Sequence, residues 1–119
     1  MSISHEIVDR ICNRLRLHWA AAECSGDVDA AGTLIVRVRV VDSLWLELRS
    51  PNPPTPDGIV PPWSARPIEV NTHGAERVVS HTYAVGLRSP ATAEDVGDRF
   101  YEEIRFWWAE YARIATSTR

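Results

Sequence analysis

The chain has 119 residues, 45% apolar and 24% charged, with a formal net charge of −3. That length suits one domain, spanning 1–119, with a core that needs no staples, and the composition is that of an ordinary globular protein. The charge balance gives no electrostatic case for nucleic acid, because the arginines are spread along the chain and not massed on one element. All 13 basic residues are Arg, a usage that reads as codon bias from a GC-rich genome. Cys12 and Cys24 lack C-x-x-C spacing and read as reduced structural thiols. The first residues show no basic region leading into an apolar run, and no stretch approaches the roughly 20 apolar residues of a membrane span. A cytoplasmic chain without a membrane partner is expected.

Ser4 is a candidate N-cap, followed by Glu6 in the first turn. Ile7, Val8, Ile11, Cys12, Leu15, Trp19 and Ala22 then share one face at helical spacing, with His18 among them and Leu17 outside. This predicts a first helix of roughly 18–20 residues, stopping at Gly26. Residues 25–32 read as a mobile loop.

Residues 33–49 alternate strictly between apolar and polar, the period of a half-buried strand. A three-residue loop at 41–43 matches the faces: Val40 with Leu44, Val38 with Leu46, Val36 with Leu48. It also sets Arg37 against Glu47 as an ion pair and Arg39 against Trp45 as a cation–π contact.

The stretch 51–67 holds seven of the eight prolines and excludes a helix or central strand. Ile59, Val60 and Trp63 give it apolar content. It is either a loop packed over its own core edge or an arm laid on a neighbouring subunit. Ile68-Glu69-Val70 then predicts a short strand and 76–88 a long one. Its two faces are Val79, His81, Tyr83, Val85 and Leu87 against Val78, Ser80, Thr82, Ala84 and Gly86.

Thr92 and Asp95 form a capping-box pattern opening a helix to Ala115. Val96, Phe100, Ile104, Trp107, Tyr111 and Ile114 make its core stripe, widened by Tyr101, Trp108, Ala112 and Ala115. Asp95, Asp98, Glu102, Arg105 and Arg113 line the back, and Phe106 breaks the pattern among them. The whole predicts an α+β two-layer sandwich of order α-β-β-β-β-α, its four-stranded, mainly antiparallel sheet covered on one face by both helices.

No motif names a reaction. The four histidines show no i,i+4 or H-x-H spacing, so a zinc site would need tertiary assembly, and core histidines explain them more simply. The carboxylates of the last helix read as a solvated, salt-bridged face. No catalytic residue, metal ligand or cofactor is assigned. The misfits carry more information: Leu17, Trp63 and Phe106, with Trp108 and Tyr101 at the margin and Ile59 and Val60 in the Pro-rich stretch, mark a protein–protein interface.

The run RPIEVNTHGAERVVSHTYAVGLRSPATAEDVGDRFYEEIRFWW, from about Pro67 to Trp108, resembles the tail-terminator (tail-completion) proteins of long-tailed bacteriophages. The opening ISHEIVDRICNRLRLHW is similar to their first helix. The resemblance lies in element order and hydrophobic spacing. It implies a non-enzymatic protein that assembles as a ring, typically a hexamer, with other virion proteins as partners and the virion as location. The expectation is therefore a structural, homo-oligomeric assembly protein. The alternative is a small secretion-chaperone-like module that binds a peptide or apolar ligand.

Overall fold

The computed structural model describes residues 3–78 and 87–117, without the side chains of 77–78, 112 and 114–117. The chain runs α1 (Ile3–His18), β1 (Cys24–Val28), β2 (Leu34–Val41), β3 (Leu44–Ser50), β4 (Ile59–Val60), β5 (Ser64–Val70), β6 (Glu76–Val78), β7 (Ala91–Thr92) and α2 (Ala93–Ser117). The expected α+β sandwich is present, with a helix toward each end of the chain and an antiparallel sheet between them. The main sheet has the order β1-β2-β3-β5-β6, and β4 pairs with β7 in a two-stranded ribbon. The four expected strands are contiguous in this sheet, and β1 adds a fifth where a loop was predicted. The expected faces of 79–86, His81 among them, lie outside the described residues, as do the side chains of Ala112, Ile114 and Ala115.

Helix α1 buries Ile7, Val8, Ile11, Cys12 and Leu15, the face set by its spacing. It is shorter than predicted. Ser4 lies inside the first turn, not at the cap, and the helix ends at His18 with Arg16 and His18 in its last turn, where cations suit the dipole. Gly26 has another role. In β1 a Cβ at Gly26 would stand 2.8 Å from Val8 Cβ, so a side chain there would push the edge strand off the helix.

The β2–β3 hairpin keeps the predicted register: Val36 opposes Leu48, Arg37 Glu47, Val38 Leu46 and Arg39 Trp45. At the turn the structure differs. Val41, not Val40, opposes Leu44, so a two-residue turn at Asp42-Ser43 is combined with a bulge at Val40. Asp42 takes the left-handed conformation, φ 51°, which a short Asx side chain tolerates. The bulge leaves the Val40 carbonyl off the ladder, and the Trp108 indole Nε1–H donates to it at 2.8 Å.

Leu34, Val36, Val38, Leu46 and Leu48 share one core with Ile7, Ile11, Leu15, Phe100 and Ile104, so both helices cover the same face of the sheet. Thr92 caps α2, its Oγ1 accepting from the Asp95 N–H at 3.2 Å. The helices run side by side in the same direction. Arg10 bonds Glu94 at 2.6 Å, Arg14 bonds Asp98 at 2.8 Å, and His18 Nε2 lies 2.6 Å from the same Asp98 Oδ1. Part of the predicted solvated back of α2 therefore faces α1. Between the helices, a Cβ at Gly97 would meet Arg14 Cβ at 2.8 Å and the Ile11 carbonyl oxygen at 3.2 Å.

Candidate functional site

The expected interface residues fall into three places. Val60 and Trp63 are fully buried in the core of their own chain, which corrects their assignment to a partner surface. The Pro-rich stretch folds inward because β4 hydrogen-bonds to β7: Ile59, half-buried, opposes Thr92, and Val60 opposes Ala91. Gly58, at φ 82°, donates its N–H to the Thr55 carbonyl at 2.9 Å and turns the chain toward α1.

Tyr101 and Trp108 are half-buried, held among aromatic rings. Trp108 meets Trp19 edge-on at 4.8 Å and Tyr101 at 6.4 Å, and Tyr101 stacks on His18 at 4.8 Å with an interplanar angle of 8°. The Tyr111 hydroxyl donates to Asp42 at 3.1 Å, fastening the next turn of α2 to the hairpin. Hydrogen bonds from Arg14 and His18 hold the Asp98 carboxyl down at about 2. His18 was expected on the apolar face. It is exposed at the end of α1, with its ring turned to α2.

Phe106 and Leu17 are the residues left at the surface. Leu17 is 78% exposed, beside a shallow depression bordered by Arg10, Asn13, Arg14 and Glu94. Phe106 is 42% exposed and stands at a cleft of about 380 Å³ between α2 and β5. Ala65, Pro67 and Trp107 supply its apolar lining, and Arg88, Arg99, Glu102 and Glu103 its charges. The Arg88 guanidinium lies 5.0 Å from the Trp63 ring centroid and pairs with Glu103. Burial, with Arg99 nearby, pulls that guanidinium below its ordinary value. Trp63 and Arg88 exchange backbone hydrogen bonds at 2.7 and 3.3 Å, which places the arginine on the cleft. Periodicity could single out Phe106 as a misfit. It could not find Ala65 or Pro67, whose positions depend on β5 extending back to Ser64 through the Pro-rich stretch, or Arg88, whose position depends on the backbone bridge to Trp63.

No family model matches the chain, and neither does any curated protein or solved structure.

The second distinctive surface is the face of the sheet opposite the helices. There Glu47 is fully buried beneath three arginines. Arg37 Nε donates to Oε2 at 2.8 Å, and Arg49 Nε and Arg66 Nε donate to Oε1 at 2.6 and 3.1 Å. Arg37 extends the chain of pairs to Glu76. The predicted Arg37–Glu47 pair is the centre of this array. Arg39 stands opposite Trp45, and its Nε donates to the Asp42 carbonyl at 2.7 Å. Among the described residues no three His, Cys, Asp or Glu side chains converge as a metal site, and no helix is long and apolar enough to cross a membrane.

Proposed function

We propose that the chain is a non-enzymatic assembly protein that forms a homo-oligomer, with the edge of α2 around Phe106 as its contact. The observation that carries this reading is Phe106 itself: a phenyl ring 42% exposed, at an apolar-lined cleft, on a helix whose core-stripe aromatics Phe100 and Trp107 pack inward. An exposed aromatic beside a pocket with charges around it has the make-up of an interface anchor. A ring at the end of a phage tail, reached through the resemblance in element order, is the finer form of the proposal. The alternative is a small module that holds a peptide or apolar ligand against the sheet; the arginines around Glu47 on the open sheet face speak against the apolar ligand.

Sedimentation of the wild-type chain over a wide concentration range should give a defined oligomer, seen as rings by negative-stain electron microscopy. Phe106→Asp should shift the population toward monomer while changing the unfolding free energy by only about 0.5 kcal/mol, as expected of a surface position. A wild-type chain that stays monomeric at high concentration would sink the proposal.

A further inference from the structure

The fold brings together two side chains that belong to neither surface described above. Cys12 lies on the buried face of α1, 5% exposed, and Cys24 is half-buried at the start of β1; both are free thiols. Their meeting follows from the packing of the two elements. Strand and helix touch where Gly26 faces Val8, so close that a Cβ on Gly26 would stand 2.8 Å from Val8 Cβ. From Val8 to Cys12 is one helical turn, about 6 Å along the axis. From Gly26 back to Cys24 is two strand residues, about 6.7 Å along the strand and on the same face of the sheet. Because the chain reverses between His18 and Cys24, both steps lead toward the same connection, and the sulfurs arrive side by side. Each thiol is the largest single influence on the other's proton affinity. Arg16 donates from Nη2 to the Cys24 carbonyl at 3.0 Å, which fixes a guanidinium beside them.

The contact divides the pair's chemistry. Hydrogen bonding from Cys24 pulls the Cys12 thiol down, with burial opposing and Arg16 assisting, while the same contact and burial push Cys24 up. Cys12 is thus the member that forms the thiolate, the reactive species in thiol chemistry, and Cys24 is the half-exposed side from which a small oxidant reaches it.

We propose that Cys12 and Cys24 are a redox-active dithiol that hydrogen peroxide converts into an intramolecular disulfide, tying α1 to the edge strand β1. The thiolate sulfur attacks one peroxide oxygen; an S–O bond forms, the O–O bond breaks, and the departing hydroxide takes up a proton as water. The second sulfur, giving up its proton, then attacks the sulfenyl sulfur; the S–S bond forms, the S–O bond breaks, and a second water leaves. Two thiols lose two electrons in total and one peroxide gains them.

The experiment treats the reduced, folded, full-length chain with hydrogen peroxide, then alkylates it in denaturant and digests it with trypsin. A monomer should form whose cysteines resist alkylation, with peptide 11–14 cross-linked to peptide 17–37. Folded geometry should make this at least about tenfold faster than in guanidinium, since positioned groups react at raised effective concentration. The oxidised chain should melt on the order of 10 °C higher, and dithiothreitol should reverse both changes. Cysteines that remain fully alkylated, disulfides only between chains, a folded rate no faster than the denatured one, or an oxidised chain that melts lower would each overturn the proposal. Cys12→Ser and Cys24→Ser should each abolish the peroxide-induced rise in melting temperature, and a rise that survives in either overturns it too. If a variant fails to fold, the wild-type cross-link and its rate decide alone.

Discussion

Leu46, Glu47 and Leu48 are consecutive in β3 and all three are fully buried, on opposite faces and under different covers. The leucines lie under α1 and α2, in a core whose elements hold one another in place. Glu47 lies under the guanidinium groups of Arg37, Arg49 and Arg66, whose side chains remain 30%, 41% and 45% exposed. Equal burial therefore carries unequal energetic weight. A helix cannot move into a gap without disturbing everything else it covers, so lost side-chain volume remains as a cavity. A guanidinium on a flexible stem can swing out and recover its hydration.

Truncation on the helix-covered face should have the largest effect. Leu48→Ala should lower the unfolding free energy by about 2–5 kcal/mol, the range for a fully buried leucine, measured by urea unfolding at neutral pH. A loss under about 1 kcal/mol would mean that the helices settle into the gap, against the reasoning from cavity cost. Next comes a change that adds volume to the same cover. Gly97→Ala should destabilise by about 1–3 kcal/mol through overpacking, although alanine favours a helix interior over glycine by about 1 kcal/mol. The added methyl meets Arg14 Cβ and the Ile11 backbone oxygen, so relief requires moving α1. A more stable Gly97→Ala chain would show slack between the helices.

The two faces also differ in how far sequence alone revealed them. Strict alternation at 33–49 identified the core face and the Arg37–Glu47 pair, because a one-residue slip would invert every side chain. It missed the bulge at Val40, whose carbonyl is satisfied by Trp108, 68 residues away. No local pattern encodes that partner. Strand β1 was missed because CSGDV lacks apolar alternation; it is a short polar edge strand whose glycine answers to Val8 on another element. The proline density hid the first half of β5, and with it Arg66, the third cover of Glu47. Pro67 lies within β5 opposite Leu46, one residue before the first pairing of β5 with β6 among the described residues. At the candidate site Phe106 was legible as an apolar residue among charges. The cleft beside it was not, because Ala65 and Arg88 reach it only through tertiary pairing.

The smallest of these effects tests the charged cover directly. Burial pushes the Glu47 carboxyl up, but hydrogen bonds from Arg49 and Arg37, with their charges, outweigh it and hold the carboxyl below its ordinary value. As pH falls, the unfolded chain therefore takes up this proton first. The stability contributed by the carboxylate is complete above the unfolded value of about 4.3 and is lost as pH falls through the lower folded value. Glu47→Gln keeps the shape and removes the charge. It should cost about 1 kcal/mol at neutral pH, a modest figure because the three arginines are partly exposed and screened by water. The gap between wild type and variant should then shrink as pH falls below about 4, where the wild-type carboxyl is itself increasingly protonated. Asp98, held at about 2 by Arg14 and His18, loses its own contribution in acid, but it does so equally in both chains and cancels in the difference. Urea unfolding of the pair at several pH values from neutral to acid reads this difference. A gap that stays constant or widens toward acid would show that Glu47 acts by packing and not by charge, and the contrast between the two covers would lose its basis.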